Sequence, residues 1–277
     1  MQIVVILGRV LDPSGITVNR RRGRIFVNRK EYVLQPADRC AMEAALRIKD
    51  AARPERSPGV EVVALPRGPL PDDDVLRQSL ALGVDKAVYL TGNGLKKAGD
   101  AVMTRVLAAA VERLGGADLI LTGAVTMDTG QSQLGSRLAE ALGCSQILNA
   151  WQVQADGGKV QAVTQLTSLP VGGGGGGGYV TIQADLPAVV TMLPGSLKLR
   201  YPDGARLVNV YKGVGEIAEA LEQWDVADLV DADTLKPLLE QRGQDFPPER
   251  ERGTRLSGLP AEMAQAAADA LRQRMGR

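Results

Sequence analysis

The residue types that most often carry chemistry at neutral pH are scarce in this chain. Among 277 residues there is no histidine, and the only cysteines are Cys40 and Cys144. Histidine-based acid/base catalysis, Ser-His-Asp or Cys-His nucleophiles and His-ligated metal or haem are therefore excluded. Two thiols cannot build a four-thiolate metal site, and each falls in a helical or helix-end pattern that suits a buried structural cysteine. The richest remaining stretch runs from Thr122-Gly123 through Asp128, Thr129, Gln131, Ser132 and Gln133 to Leu134-Gly135. It follows the apolar run Asp118 to Leu121 and precedes a helical pattern. The spacing predicts a helix that begins near Thr129 to Ser132, with Leu134, Leu138 and Leu142 inward. Gly123, Gly130 and Gly135 let the backbone turn and approach a ligand closely. A helix start offers free N–H groups and a positive dipole end to a phosphate, and the polar side chains can bond ribose, phosphate or base. The alternative is an ordinary strand-to-helix turn with Asp128 or Thr129 as N-cap.

Three further clusters lie after or between apolar runs. Gly8-Arg9-Val10-Leu11-Asp12-Pro13 offers Arg9 and Asp12, which either face a ligand or pair with each other. Leu34-Gln35-Pro36-Ala37-Asp38 precedes a helix bearing Glu43. In Pro66-Arg67-Gly68-Pro69, Arg67 can meet a phosphate.

Positioning these clusters requires a scaffold, and its pattern is regular. Strand-like runs at Ile3 to Leu7, Val60 to Leu65, Lys86 to Leu90 and Asp118 to Leu121 alternate with helical patterns. The helices are expected at Ala37 to Ala52, Asp72 to Leu82 and Asp100 to Leu114. Such alternation predicts a doubly wound α/β fold, a mostly parallel sheet with helices on both faces. Ligands of these sheets bind at the carboxyl ends of the strands beside a topological switch point, so the four clusters converge on one crevice. A β-hairpin excursion is expected where Thr17 to Asn19 and Arg24 to Val27 flank the basic turn Arg20 to Gly23. Half-exposed strands follow at Trp151 to Gln154 and Lys159 to Leu166, with further strands at Tyr179 to Gln183 and Leu186 to Thr191. Gly172 to Gly178 lacks the Lys-Ser/Thr ending of a phosphate loop and reads as a flexible hairpin loop. Residues 1–244 form the expected α/β domain. Residues 245–277 form a linker, Phe246 to Gly253, and a thin C-terminal helix, Pro260 to Met275, which needs a surface to dock on.

Charge and composition narrow the partners. With 33 basic against 32 acidic side chains, the chain gives no reason to expect nucleic acid. No stretch approaches the roughly 18 apolar residues of a membrane-spanning helix, and Met1 leads straight into a strand, not a secretory leader. The expectation is a soluble, cytoplasmic protein without membrane insertion, peripheral to a membrane complex where it meets one. With two phenylalanines and two tryptophans the core is aliphatic.

Taken in order, the motifs resemble the β subunit of electron transfer flavoproteins, the FixA type. Arg9-Val10-Leu11-Asp12 looks like the family's Lys-Arg/Gln-Val-x-Asp. Gln35-Pro36-Ala37-Asp38 with Ala41, Glu43 and Ala45 is similar to Asn-Pro-x-Asp-Glu-x-Ala-x-Glu-x-Ala. Gly68-Pro69 and Leu76 to Asp85 look like the family's Gly-Pro…Leu-Arg-x-Ala-Leu-Ala-Met-Gly-Ala-Asp. Gly123, Asp128, Gln133 and Gly135 are kept from Gly-x-Gln-Ala-x-Asp-x-Asp-x-x-Gln-x-Gly. Leu186-Pro187-Ala188-Val189-Val190-Thr191 repeats the family's string, and Arg200-Tyr201 resembles its Pro-Arg-Tyr. Gly8 stands where the family has a basic residue, Ala124-Val125 replaces Lys/Arg-Gln, and Arg67 is a candidate replacement charge.

The resemblance implies an adenine nucleotide α-hydrolase-like fold and a non-catalytic electron carrier. Its partner would be a larger α subunit, with FAD held mainly by α at the interface. Electrons would pass from flavin dehydrogenases to a quinone oxidoreductase or other acceptor. The β crevice would hold AMP, or in bifurcating members a second FAD that oxidises NADH. Asp100 to Thr104 faintly resembles the bifurcating motif. The shell carried over is Ile6, Gly8, Arg9, Gln35, Pro36, Asp38, Arg67, Gly123, Thr126, Asp128, Thr129, Gly130, Gln131, Ser132, Gln133, Leu134 and Gly135, with no catalytic residue and no metal. Partner contacts would fall on Leu197, Arg200 and Tyr201, and the tail would dock on the partner subunit. The competing readings are a stand-alone adenine-nucleotide-binding module and a degenerate structural subunit.

Overall fold

Runs of β-branched and aliphatic residues too short for helices build the centre of the chain, because a strand covered on both faces can be apolar throughout. A computed structural model describes residues 1–52, 59–68, 70, 72–95, 98–166, 178–237, 239, 253 and 255–274. The chain divides into two units, Met1–Glu240 and Gln241–Arg277.

In the first unit β1 (Gln2–Leu7) leads into β2 (Arg9–Leu11), the ribbon β3 (Ile16–Asn19) and β4 (Arg24–Val27), and β5 (Tyr32–Leu34). Then come α1 (Pro36–Ala51), β6 (Glu61–Pro66), α2 (Asp74–Leu82), β7 (Lys86–Thr91), α3 (Asp100–Arg113), β8 (Leu119–Gly123) and α4 (Leu134–Leu142). The remainder is β9 (Ser145–Asp156), β10 (Lys159–Leu166), β11 (Gly178–Asp185), β12 (Ala188–Met192), α5 (Gly204–Lys212), α6 (Glu216–Glu219) and β13 (Leu221–Asp225). Nine strands form one sheet in the order β11-β10-β9-β12-β8-β1-β6-β7-β13. From β12 to β13 all neighbours are parallel, whereas β10 runs antiparallel to β9 and β11. β1 lies between β6 and β8, so the chain leaves it in one direction first and the other later. That reversal is the switch point of a doubly wound α/β fold.

Alternation along β1 assigns the two faces. Ile3, Val5 and Leu7 join the apolar layer built with α1 and α2, while Val4 and Ile6 join the layer built with α3 and α4. The α4 helix sits almost on the sheet because of one glycine. A Cβ on Gly135 would lie 2.3 Å from Thr191 Cγ2 and 3.3 Å from Thr122 Cγ2.

Several elements differ from the expectations. β9 spans 12 residues where only Trp151 to Gln154 reads as strand. It begins parallel to β12 and ends antiparallel to β10, and the change occurs near Asn149, whose φ is +57° and whose N–H donates to Thr191 Oγ1 at 2.9 Å. β13 carries Glu222 and Asp225 and covers a sheet edge, so its pattern lacks the apolar run of a central strand. The glycine run lies outside the described residues except for Gly178, and so does the linker Phe246 to Gly253 except for Gly253. In the second unit α7 (Pro260–Arg274) starts on proline, and Glu262 Oε2 accepts the Leu259 N–H at 3.0 Å. Among the described residues no helix is long and apolar enough to cross a membrane.

Replacing Gly135 with alanine should destabilise the domain by roughly 1–3 kcal/mol through overpacking at the α4–β12 contact. Adding Thr191→Ser removes the obstructing methyl but keeps the hydroxyl that holds Asn149. The double variant should recover most of the loss in denaturant unfolding.

Candidate functional site

The carboxyl ends of β1, β6 and β8 meet at one side chain. Pro36 starts α1 with its fixed φ, which sets Asp38 in the first turn, fully buried. Asp38 Oδ2 accepts the Gly8 N–H at 2.8 Å, and Oδ1 accepts the Gly123 N–H at 2.8 Å. Arg67, just beyond β6, donates to the same carboxylate from Nη2 at 3.0 Å and from Nε at 3.3 Å. Its Nη2 also reaches Thr122 Oγ1 at 2.8 Å and the Gly123 carbonyl at 2.9 Å. Gly123 is obligatory, since a Cβ there would lie 2.4 Å from Asp38 Oδ1 and 2.6 Å from Ala37 Cβ. Arg67, expected to meet a phosphate, is thus already paired with Asp38. Its Nε and Nη2 are committed to this junction, which leaves Nη1 for the crevice. At position 8 a Cβ would come within 3.2 Å of the Arg67 stem, so the arginine fills the space beside Gly8.

The β2–β5 link forms one rim of the crevice. Arg9 pairs across it with Leu34, and the Gln35 N–H donates to the Gly8 carbonyl at 2.9 Å. Arg9 does not pair with Asp12. Its Nη1 donates to Asp72 at 2.7 Å, its guanidinium lies 4.1 Å from the Tyr32 ring centre, and Asp12 instead accepts the Ser14 N–H. The buried Gln35 side chain donates from Nε2 to the Val125 carbonyl at 3.3 Å. Two buried side-chain polar atoms have no hydrogen-bond partner among the described residues, Arg9 Nε and Gln35 Oε1. Both belong to this rim. Buried polar atoms are rarely left unpaired without a reason, and a ligand donor facing Gln35 Oε1 is such a reason.

Opposite the rim, the loop 124–133 is organised by Thr126. Its N–H donates to the Gln131 carbonyl at 2.9 Å, its carbonyl accepts the Gly130 N–H at 3.0 Å, and its hydroxyl meets Thr129 Oγ1 at 2.7 Å. Gly130 closes this turn with φ +68°. The turn delays the helix: α4 starts at Leu134, not near Thr129 to Ser132, and neither Asp128 nor Thr129 caps it. Among the described residues Asp128 Oδ1 accepts the adjacent Thr129 N–H and the Thr129 hydroxyl, and Gln133 at the cap position makes no side-chain cap bond. The first-turn N–H groups of α4 therefore have neither intrahelical nor side-chain acceptors among the described residues. Asp128, Thr129, Gly130, Gln131, Ser132 and Gln133 are exposed, whereas the Ile6 and Leu134 side chains are buried in the core and can offer a ligand only backbone.

Asp100, at the start of α3, completes the crevice and is absent from the expected shell. The Gln131 amide, turned to donate, lies 3.2 and 3.3 Å from its two oxygens. Burial pushes the Asp100 carboxyl above its ordinary value, Arg67 and Arg137 draw it down, and Asp128 raises it again. Its position after β7, another strand end of the same sheet, was the available signal.

The remaining candidates lie apart from this crevice. Arg200 donates to the buried Glu43 from N at 3.1 Å and Nε at 3.0 Å, and its Nη1 meets Asp50 at 2.8 Å. Burial would raise the Glu43 carboxyl, but bonds from Arg200 and Arg47 outweigh it and hold it below its ordinary value. Leu197 is half-buried against the core, with its carbonyl accepting from Cys40 Sγ at 3.4 Å, while Tyr201 is 85% exposed.

Two substitutions probe this geometry. Asp38→Ala leaves a buried arginine and two N–H groups unpaired, and should cost about 3–5 kcal/mol in denaturant unfolding. Asp100→Asn should behave oppositely. A carboxyl whose folded value is raised loses stability as pH climbs through that value. The asparagine variant should melt higher than the parent at pH 7, and the difference should vanish as pH falls below the ordinary value of 3.8.

The family model described as "Electron transfer flavoprotein domain" matches residues 24–215. The chain is 31% identical to Protein FixA of Azorhizobium caulinodans, over 72% of this chain and 68% of that protein. It is 28% identical to the caffeyl-CoA reductase-Etf complex subunit CarD of Acetobacterium woodii, over 83% of this chain and 80% of the relative. With the electron transfer flavoprotein subunit beta of Bacillus subtilis it shares 27% identity over 98% of both chains. The match over residues 24–215 and the 31% identity to Protein FixA lead to one conclusion: the chain belongs to the electron transfer flavoprotein β subunit family of the FixA type.

Proposed function

We propose that this chain is the β-type subunit of a heterodimeric electron transfer flavoprotein, an electron carrier with no catalytic residue of its own. Its larger partner would hold FAD at the shared interface, and the crevice at the β1–β8 switch point would hold AMP. The observation that carries the nucleotide assignment is the unpaired Gln35 Oε1, a buried acceptor on the crevice rim. It suits the N–H donor of an adenine ring. Across from it, the first-turn N–H groups of α4 and the hydroxyls of Thr129 and Ser132 suit a phosphate and ribose. The charge balance favours few phosphates: Arg67 is largely neutralised by Asp38, and the carboxyls of Asp100 and Asp128 lie close enough to influence each other.

When bound, a flavin supplies the redox chemistry by accepting and releasing electrons. The residues of this chain would position nucleotide and partner. Gln35 would orient the base while tethering Val125, and the Thr126 turn would hold the phosphate-facing loop in place. Electrons would pass from flavin dehydrogenases towards a quinone oxidoreductase or another acceptor. The relatives named after caffeyl-CoA reductase and FixA support that class of role.

The test is the ligand content of the complex co-purified with its α-type subunit. Acid release should yield one FAD and one AMP per heterodimer. Two FAD per heterodimer would replace AMP by a second flavin, and a colourless chain that ignores the α-type subunit would end the carrier reading. Gln35→Met keeps the volume but removes both polar atoms, so AMP affinity should fall about tenfold, the size of one lost hydrogen bond, with FAD content unchanged.

A further inference from the structure

The ribbon β3–β4 stands outside the nine-stranded sheet and pairs only with itself. Its register places Ile16 opposite Val27 and Val18 opposite Ile25, so these four β-branched residues share one face. Thr17 and Phe26 face the other way. Val18 is 51% exposed, Ile25 58%, Phe26 41% and Val27 41%. The turn joining the strands is Arg20-Arg21-Arg22-Gly23, and Arg24 follows. From Ile16 to Tyr32 there are six basic residues against one acidic residue, in a chain whose net charge is only +1. Among the described residues Arg29 pairs with Glu31, and Arg20, Arg21, Arg22 and Arg24 make no ion pair.

A two-stranded ribbon with apolar residues on both faces is marginal in water by itself. Its root is nevertheless held firmly. The Asn28 N–H donates to the Gly15 carbonyl at 2.8 Å, and a Cβ on Gly15 would lie 2.3 Å from the Arg29 carbonyl oxygen. A rigid root, an uncovered aliphatic face and a cationic tip describe a docking element. The distribution of its residues selects the occupant. A membrane would cover one side, yet Phe26 lies on the face opposite Ile25 and Val27, and the tip that would enter lipid first is arginine. A protein cleft can cover both faces at once while meeting the tip with carboxylates.

We infer that the β3–β4 ribbon is an assembly arm that inserts into an acidic, apolar-walled cleft of the flavin-carrying partner subunit. This inference rests on the heterodimer reading above. Charge on the tip would steer association and make it salt-dependent, while the aliphatic face would supply the buried area.

The experiment measures the affinity of the full-length chain for the separately purified α-type subunit by titration calorimetry at low and high salt. Two variants are compared, Arg20→Glu/Arg21→Glu/Arg22→Glu and Val18→Ser/Ile25→Ser. Each should weaken the heterodimer by about tenfold or more, with unchanged thermal midpoint of the free chain and unchanged AMP content. The salt dependence of the parent should largely disappear in the tip variant. A parent that forms the heterodimer with variants that bind equally well overturns the arm and leaves the heterodimer reading standing. A parent that forms no heterodimer overturns both. Loss of cosedimentation with phosphatidylcholine–phosphatidylserine vesicles in the variants, with the heterodimer unaffected, also overturns the inference and assigns the ribbon to a membrane surface.

Discussion

A carboxylate without solvent contact survives in a folded chain only when charge and hydrogen bonds replace the water it has lost. Asp38 meets that condition by binding the three strand ends that define the crevice. The Gly8 and Gly123 N–H groups and the Arg67 guanidinium all converge on its two oxygens. The dependence runs both ways, because the carboxylate holds β1, β6 and β8 in place and they neutralise it. A second consequence is geometric. Gly123 must be glycine because Asp38 occupies the space of its Cβ, and Gly135 must be glycine so that α4 lies against β12 and β8. The loop between these glycines therefore begins and ends at fixed points.

The sheet, its helices and the ends of its central strands were legible in sequence because local rules decide them. An apolar run bounded by turn residues is a buried strand in almost any context, and the order of such runs determines the winding. The loop was legible as a site but not in its form. Thr126 and Gly130 look like any polar loop residues until the hydrogen bonds from Thr126 to Gln131 close the turn and push the helix start to Leu134. Arg67 illustrates the commonest limit. Its position after a strand marks it as facing the crevice, but only the fold reveals Asp38 from a different element waiting to bind it. β13 was hidden for another reason: an edge strand carries charges outward and has no signature of its own.

The crevice proposed to hold AMP has an unusual charge distribution for a phosphate. One arginine is neutralised at its floor, while two carboxyls, Asp100 and Asp128, stand near its mouth. Attraction for the proposed phosphate would then come mainly from oriented backbone N–H groups at the α4 start, which carry partial charge without a counter-ion. If the crevice holds the proposed nucleotide, each added phosphate would meet Asp100 and Asp128, with Arg137 as the one further cation at the mouth among the described residues.

The missing histidine acquires meaning in this setting. If the crevice binds a nucleotide as proposed, through amides, hydroxyls and a tethered glutamine, no proton moves and no group that titrates near neutrality is needed there. The Asp100 carboxyl is raised above its ordinary value by burial, with Gln131 rather than a cation as its bonded neighbour. A raised carboxyl in that position is better understood as a cost of closing the mouth between α3 and the loop than as a catalytic acid. If the chain contributes to electron transfer by holding its partners in register, changes in Gln35 should alter nucleotide content and changes in the ribbon should alter assembly, each together with electron flow. The rate per correctly loaded heterodimer should stay as it was, because that rate belongs to the flavin and its surroundings.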